Sequence, residues 1–345
     1  MKVGIFDHVE RSDRPLAIEY DERLEFVAAA DEAGFYCYHV AEHHCTPLNM
    51  VPAPGVYLGA VARATKRIHL GPLVYLLPLA SPLRMIKEIC MLDHLSHGRL
   101  EVGVGRGVSP FELNYHKIDH AESRDIFIDA FQCISAGLAD EKFSYAGKYY
   151  SYTDVPMPMR PYQKPHPPFW YGASNIVGAA WSGEHGMNFT ANGPTSAAKV
   201  NIDALKAALK TRGGPAVAKP EFPGGAAVGV LRHIVVADTD EDAVRIAKPA
   251  FEYHLASLNY LRRMHGVTAT GLNVRRGTTW EECVAGGVAI AGNPETVRAE
   301  IARQAAEMGV NYLLAYLFFG TLGFADAKRS LALFGREVLP KLASI

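Results

Sequence analysis

The chain has 345 residues, of which 49% are hydrophobic and 21% are charged, a composition typical of a globular protein. This composition excludes disorder, a collagen-like fibre and a coiled coil as descriptions of the whole chain. Lys and Arg number 35 against 36 Asp and Glu, and the formal net charge of -1 gives no reason to expect nucleic acid or an anionic membrane as a partner. We therefore expect a small-molecule substrate.

The cysteine pattern and the N-terminus indicate a cytoplasmic protein. No C-x-x-C spacing occurs, so neither a zinc ribbon nor a disulfide framework fits, and we expect reduced, mostly buried thiols. No run reaches the roughly 18 apolar residues that a membrane span requires, and the N-terminus is unlike a signal peptide. The mature protein is expected to begin at Met1. The five cysteines are Cys37, Cys45, Cys90, Cys133 and Cys283.

Apolar runs alternate with helical patterns along the chain. Residues 139–168 are rich in Tyr and Pro and predict a surface excursion, and residues 266–287 show no clear period and predict a mobile loop near the mouth of the site. The predicted strands are residues 2–7, 35–41, 68–77, 100–104, 169–173, 187–190, 228–237 and 310–318. The predicted helices are residues 16–34, 53–65, 81–96, 123–137, 175–185, 195–212 and 324–342, with further helices opening at 240 and 293.

Eight strands, each followed by a helix, predict the fold class. The strands are nearly continuous hydrophobic runs, as expected of parallel strands that helices cover on both faces. With no break in composition between its halves, the chain suits an α/β fold of one domain over residues 1–345. We expect a (β/α)8 TIM barrel with insertions in the loops at the C-terminal face, rather than an open Rossmann sheet. In such a barrel, chemistry lies at the C-terminal ends of the strands.

Two strand ends carry residues suited to binding a phosphate. Residues 103–107 read Gly-Val-Gly-Arg-Gly, in which the glycines let a ligand approach the backbone and Arg106 offers a guanidinium. Val108 stands where a dinucleotide fingerprint has its third glycine, so a glycine-rich turn with a surface arginine is the alternative. Residues 172–175 precede a helix whose free N–H groups form an anion site, although Ser174 or Asn175 also suits a helix cap.

Glu42-His43-His44 ends the second strand, where a neutral imidazole would suit a general acid or base. Neighbouring residues point to opposite faces, so at most one of the two histidines faces the barrel axis. A hydrogen-bonded structural histidine is the alternative for each. Scattered histidines such as His8 and His116 are too sparse for a metal site of the usual density, and we expect none.

Several spaced motifs then identify the chain as similar to the bacterial luciferase-like flavin-dependent monooxygenases. The resemblance is dense over residues 1–112 and returns at 172–186 and 329–342. The motifs that carry it are Lys2-Val3-Gly4-Ile5-Phe6, Ala41-Glu42-His43-His44, Arg67-Ile68-His69-Leu70-Gly71, Leu77-Pro78, Ser81-Pro82-Leu83-Arg84, Leu92-Asp93-His94-Leu95-Ser96-His97-Gly98-Arg99-Leu100 and Gly103-Val104-Gly105-Arg106-Gly107.

The resemblance implies a site for reduced FMN. It places Leu73 and Val74 under the isoalloxazine ring, joined by a non-prolyl cis peptide, and it makes His43 the catalytic acid or base with His44 as the second candidate. The residues that it places around the FMN phosphate are Arg106, Gly107, Ser174, Asn175 and Gly178. Gly105 replaces a reactive cysteine of the light-emitting subunit and Ser174 replaces a glutamate, so light emission is not implied.

The function that the resemblance implies is a two-component monooxygenase. A separate flavin reductase would deliver reduced FMN, which reacts with dioxygen to a flavin hydroperoxide that oxidises a small apolar organic substrate. A homodimer is also expected by resemblance. One alternative is hydride transfer with a deazaflavin coenzyme, and another is a non-catalytic flavin-binding protein; both occur in the superfamily. The sequence does not name the substrate, because the loops at 111–120, 139–168 and 266–287, expected to shape its pocket, are weakly patterned.

Overall fold

The computed structural model describes residues 1–267 and 277–343 and contains twelve strands and thirteen α-helices there. The strands are β1 (Lys2–Asp7), β2 (Cys37–Val40), β3 (His69–Pro72), β4 (Tyr75–Leu76), β5 (Val102–Gly105), β6 (Lys142–Ala146), β7 (Ser151–Pro156), β8 (Phe169–Ala173), β9 (Asn188–Ala191), β10 (Val228–Val236), β11 (Ala289–Gly292) and β12 (Tyr312–Tyr316). The helices are α1 (Leu16–Ala33), α2 (Pro54–Ala64), α3 (Pro82–Leu95), α4 (Pro110–Tyr115), α5 (Ser123–Ala139), α6 (Ile176–Glu184), α7 (Thr195–Arg212), α8 (Asp240–Leu258), α9 (Tyr260–Met264), α10 (Trp280–Ala285), α11 (Pro294–Met308), α12 (Phe324–Leu333) and α13 (Leu339–Leu342).

Nine parallel strands form a nearly closed barrel in the order β3-β2-β1-β12-β10-β9-β8-β5-β4. β3 and β4 are two parts of one run, so the barrel has eight strand positions. A parallel bridge between Leu70 and Leu100 joins the two ends of the sheet. The predicted TIM barrel is confirmed, because every barrel strand is parallel to its neighbours and helices cover the outside.

Most predicted elements form within two residues of their expected ends. α7 matches its prediction to the residue, and α1 is capped by Gly34, whose φ of 87° is the left-handed conformation expected there. The predicted strand 68–77 is interrupted by Leu73 and Val74. The prediction missed β11, which pairs with the second half of β10, and α10, which lies in a stretch without a clear hydrophobic period.

The predicted surface excursion at 139–168 contains an antiparallel hairpin of β6 and β7, which is separate from the barrel sheet and mostly exposed. Asp129 of α5 holds it by accepting the backbone N–H groups of Tyr149 and Tyr150 at 2.6 and 3.0 Å. The hairpin joins the end of a helix to the start of β8, and Gln163 bonds the carbonyl of Leu100 just before β5. The turn of the hairpin reaches back to the start of α5, where Tyr149 bonds Glu122 at 3.2 Å and Lys148 bonds Asp125 at 3.1 Å. The expectation that this segment shapes the substrate pocket stays a prediction.

A buried charge cluster closes the N-terminal end of the barrel. Glu101, which is 0% exposed, contacts Lys219 of the connection between α7 and β10, and His69 Nδ1 lies 3.0 Å from Glu101 Oε1. Trp170 Nε1 donates to Glu101 Oε2 at 2.6 Å. Burial would raise the pKa of Glu101, but His69 and Lys219 lower it to about 2. This end of the barrel is therefore sealed by an ion pair.

Four of the five cysteines are buried, as predicted, and Cys45 is exposed. Among the described helices, none combines the length and apolar character needed to cross a membrane.

Candidate active site

His43 is held by a carboxylate that the sequence analysis did not identify. Its Nδ1 lies 3.2 Å from Oε1 of Glu112 in α4, and the other oxygen of Glu112 accepts the His44 N–H at 2.8 Å. Burial alone would raise the pKa of Glu112, but the His43 ring and the hydrogen bonds outweigh it and hold the pKa below its ordinary value. The ionised carboxylate can only accept, so His43 Nδ1 carries the proton and Nε2 is left for a ligand.

His44 has a different set of partners. Its Nε2 lies 2.9 Å from Glu42 Oε1, and its ring meets the His116 ring edge-on at 4.6 Å. Glu42 also accepts the Leu76 N–H at 2.9 Å, which ties the end of β2 to β4. The two histidines thus have separate surroundings, as the alternation argument predicts.

His43 faces a ring of aromatic side chains inside the barrel mouth. The His8 ring lies 5.5 Å from the His43 ring, and it also contacts Phe6 at 4.8 Å and Tyr316 at 5.4 Å. His233 of β10 extends the ring, 4.9 Å from Tyr316. These side chains come from the C-terminal parts of β1, β10 and β12 or from just beyond them, where a TIM barrel carries its chemistry.

The peptide between Leu73 and Val74, which follows β3, is cis as the resemblance implied. Gly105 packs against it so closely that an added Cβ would lie 2.3 Å from Val74 Cγ2. A glycine at 105 is therefore required for the position that Val74 adopts, and the cysteine of the light-emitting subunit would not fit there without a shift.

We expect Gly105→Ala to weaken FMN binding about tenfold, because the new methyl group must displace Val74 from the expected ring site. Gly59→Ala is the matched control, since an added Cβ at Gly59 in α2 meets nothing within 4 Å. Equilibrium titration with FMN, together with a thermal unfolding scan of each variant, separates a local effect from a general loss of stability. Equal FMN affinity in both variants would show that the Val74 position does not matter for binding.

Two arginines follow β5, near the strand ends suited to phosphate. Burial raises the pKa of Tyr171 in β8, while the positive charges of Arg124 and Arg106 act in the opposite direction. Neither guanidinium has a hydrogen bond or an ion pair with another described residue. Arg124 was not identified from the sequence; it lies in the first turn of α5, and no local motif marks it.

The start of α6 lies beside the same tyrosine. An added Cβ at Gly178 would lie 3.2 Å from the Tyr171 ring, so only glycine allows this contact without a shift. Asn175 caps the helix by accepting the Gly178 N–H at 2.8 Å, and Ser174 is exposed just before it. The capping alternative is thus confirmed for Asn175, and it is compatible with a phosphate at the same helix end. The positive charges, the helix end and the glycines together fit a flavin phosphate.

A second imidazole–carboxylate pair, Glu10 and His254, lies next to His8, with the His254 and His8 rings 5.8 Å apart. Ligand-type atoms of His8, Glu10 and His254 come within 4.8 Å of one another, a spacing that a metal ion could bridge. However, His254 Nδ1 bonds Glu10 Oε1 directly at 2.8 Å, which makes them a hydrogen-bonded pair. The prediction that the protein has no metal stays a prediction.

Several known proteins are similar to this chain in sequence. The model of the luciferase-like monooxygenase family matches residues 1–312. The uncharacterized protein y4wF of Sinorhizobium fredii is 35% identical and covers 92% of this chain and 91% of its own. The oxygenase component of a flavin-dependent trigonelline monooxygenase from Acinetobacter baylyi is 26% identical, with 70% of this chain and 67% of its own covered.

Solved structures show the same fold. The oxygenating constituent of 3,6-diketocamphane monooxygenase from Pseudomonas putida, in complex with FMN, has a TM-score of 0.83 at 22% identity, over 99% of this chain and 98% of its own. A coenzyme F420-dependent tetrahydromethanopterin reductase from Methanopyrus kandleri has a TM-score of 0.75 at 19% identity, over 99% of both chains. The barrel and its family match define a flavin-dependent oxidoreductase, as predicted. The chain belongs to the luciferase-like monooxygenase family.

Proposed function

We propose that this protein binds reduced FMN and oxidises a small organic substrate with dioxygen. The observation that carries the proposal is the start of α6, which contacts Tyr171, a tyrosine whose pKa the positive charges of Arg106 and Arg124 act to lower against the effect of burial. A dianionic phosphate there would gain charge-assisted hydrogen bonds and the helix dipole. The peptide between Leu73 and Val74 supplies the floor for the flavin ring. When bound, reduced FMN would activate dioxygen and supply one oxygen atom to the substrate.

His43 provides the proton-handling group in this proposal. Its Nε2 faces the mouth while Glu112 fixes the ring through Nδ1, so the imidazole can donate or accept one proton at a defined position. The aromatic ring of Phe6, His8 and Tyr316 limits water in the mouth, which protects a reactive oxygen species from loss. His44, turned to Glu42 and His116, would support the strand end.

A separate flavin reductase follows from the same proposal. The sequence shows no nicotinamide fingerprint, and the trigonelline relative is named as the oxygenase component of its system. Reduced FMN would therefore arrive from another protein, which makes affinity for the reduced flavin the property to measure.

The decisive experiment is an anaerobic titration of the purified protein with reduced FMN and, separately, with reduced F420, followed by rapid mixing with oxygenated buffer. We expect tight binding of reduced FMN and a transient absorbance change on oxygen mixing. Preference for F420 without an oxygen reaction would favour hydride transfer, the alternative that the F420-dependent structural neighbour supports. Flavin binding without any oxygen reaction would favour a non-catalytic role.

Arg106→Met is expected to weaken FMN binding about 100-fold and to leave riboflavin binding within about twofold. The reason is that riboflavin has the same ring but no phosphate. The wild-type protein, titrated with both ligands, gives the reference preference, and Arg124→Met should produce a change of the same sign. Equal losses for FMN and riboflavin would place Arg106 at the ring instead of the phosphate.

A further inference from the structure

Glu42 is a buried carboxylate just beyond the end of β2, and the proposed function gives it no role of its own. It is 9% exposed, and each of its two oxygens has a partner. Oε2 accepts the Leu76 N–H at 2.9 Å, and Oε1 lies 2.9 Å from His44 Nε2. One carboxylate therefore joins the end of its own strand to the neighbouring run of β3 and β4.

The Leu76 contact bears on the flavin site. Leu76 follows Val74 and its cis peptide by two residues, and it is paired with Gly105, the residue before Arg106. Leu76 is 6% exposed, so water would not readily replace a hydrogen bond lost from its N–H. Glu42 thus fixes a residue that adjoins both the peptide proposed as the floor for the flavin ring and the proposed phosphate site.

The His44 contact bears on the proton-handling group. The backbone N–H of His44 donates to Glu112 Oε2 at 2.8 Å, and Glu112 Oε1 lies 3.2 Å from His43 Nδ1. Glu42 thus holds the ring of His44, while Glu112 holds its backbone. Glu42, His44 and Glu112 therefore form a frame that connects Leu76 to the ring of His43.

We propose that Glu42 is a positioning residue that fixes the flavin floor and His43 relative to each other. In this arrangement His44 is the bridge of the frame and not a second acid or base. The inference rests on the proposed function, because the roles of the floor and of His43 come from it. Productive proton transfer beside a bound flavin needs both groups to be held to within about 0.5 Å. A carboxylate with one oxygen on each segment supplies that constraint.

Amide hydrogen exchange tests the first contact without flavin. Glu42→Met keeps the approximate length of the side chain and loses both acceptor oxygens, so the Leu76 N–H should exchange at least about tenfold faster than in the wild type. Glu42→Gln keeps an acceptor oxygen of the same reach, and exchange should stay within about threefold of the wild-type rate. Glu88→Met is the matched control, because Glu88 of α3 accepts the hydroxyl of Tyr75, the residue beside Leu76, at 2.8 Å. It should leave exchange at Leu76 unchanged.

Nuclear magnetic resonance of histidine-labelled protein tests the second contact. The ring nitrogen signals of His43, assigned from their absence in His43→Gln, should shift in Glu42→Met and keep their positions in Glu88→Met. In a Glu112→Met background, where the frame is already open, Glu42→Met should not shift them further. An effect that reaches His43 only because it is the next residue in the chain would instead be the same in both backgrounds.

FMN binding tests the link to the proposed function. Glu42→Met should bind FMN about tenfold more weakly than the wild type and change the visible circular dichroism of the bound flavin, because a floor that is no longer fixed must be ordered on binding. Glu42→Gln should recover most of the affinity. Glu88→Met should stay within about twofold of the wild type and keep its spectrum, even where its unfolding temperature is lowered as much.

Three results would overturn the inference. Unchanged exchange at Leu76 in Glu42→Met would remove the first contact, and a His43 shift of equal size in both backgrounds would remove the second. Equal losses of FMN affinity in Glu42→Met and Glu88→Met would show a general loosening of the barrel. If Glu42→Met does not fold, Glu42→Ala takes its place with the same expected directions. A wild-type protein that binds no FMN defeats the proposed function, whereas the exchange and resonance measurements still decide whether Glu42 holds Leu76 and His43.

Discussion

His43→Gln is expected to lower product formation by about 100-fold or more while changing the affinity for reduced FMN by less than about threefold. The imidazole can donate or accept a proton at Nε2, whereas the glutamine amide of similar reach can do neither at neutral pH. Glu112 would still find a partner in the amide, so the loop after β2 should keep its position. The effect should therefore fall on the chemical steps and spare binding.

The measurement combines a flavin titration with single-turnover kinetics. The loss in His43→Gln should appear in the rate of product formation and not in the affinity for reduced FMN. Glu112→Gln should give an intermediate loss, because an amide that donates to Nδ1 would shift the imidazole proton to Nε2. Product formation unchanged in His43→Gln would remove this residue from the mechanism.

The comparison of sequence and structure shows which signals are local. Parallel strands buried on both faces leave continuous apolar runs, so the barrel strands and α7 could be read directly. β11 could not, although Gly286-Gly287 and Asn293-Pro294 bound it, because Ala289–Gly292 is a run of only four small and apolar side chains. Its strand character comes from pairing with β10, which is a tertiary contact.

The residues of the candidate site also fall into two groups, those that a local motif marks and those that only tertiary packing brings to the site. His43 and Arg106 lie in motifs at strand ends, so the barrel topology alone brings them to the mouth. Glu112, Arg124 and His254 lie on helices and reach the mouth only through the way those helices pack. Glu10 lies three residues after the end of β1, close to where the barrel fold places functional residues. Its partner His254, however, is 244 residues away along the chain. No spacing rule connects such a pair. The loop predicted at 266–287 is only partly testable, since residues 268–276 lie outside the described chain.

The second large effect is expected at the opposite end of the barrel, where Glu101→Gln should lower the free energy of unfolding by about 3 kcal/mol at pH 7. The substitution keeps the shape and an acceptor for Trp170 but leaves the Lys219 ammonium, which is 8% exposed, without its main counter-charge. Glu221 lies 3.7 Å from Lys219 Nζ and compensates only in part. Urea unfolding at equilibrium measures the loss, and FMN affinity should not change because the mouth is far from this cluster.

Acid supplies an independent test of the same ion pair. The pKa of Glu101 is lowered to about 2 in the folded protein, from 4.5. A lowered folded-state pKa contributes stability that is fully present above pH 4.5 and is lost as the pH falls towards 2, and the difference corresponds to about 3 kcal/mol. The unfolding free energy of Glu101→Gln should therefore fall less steeply over that range than that of the wild type.

The double variant Glu101→Gln/Lys219→Met decides whether the charge or the packing matters. Removing both charges leaves no uncompensated ion in the interior, so part of the stability lost in Glu101→Gln should return. If the double variant is as unstable as the sum of the two single variants, the cluster acts through independent contacts and the ion pair has no coupling energy. Recovery would instead show that the barrel tolerates an apolar seal at its base, and that the fold needs the two charges mainly to neutralise each other.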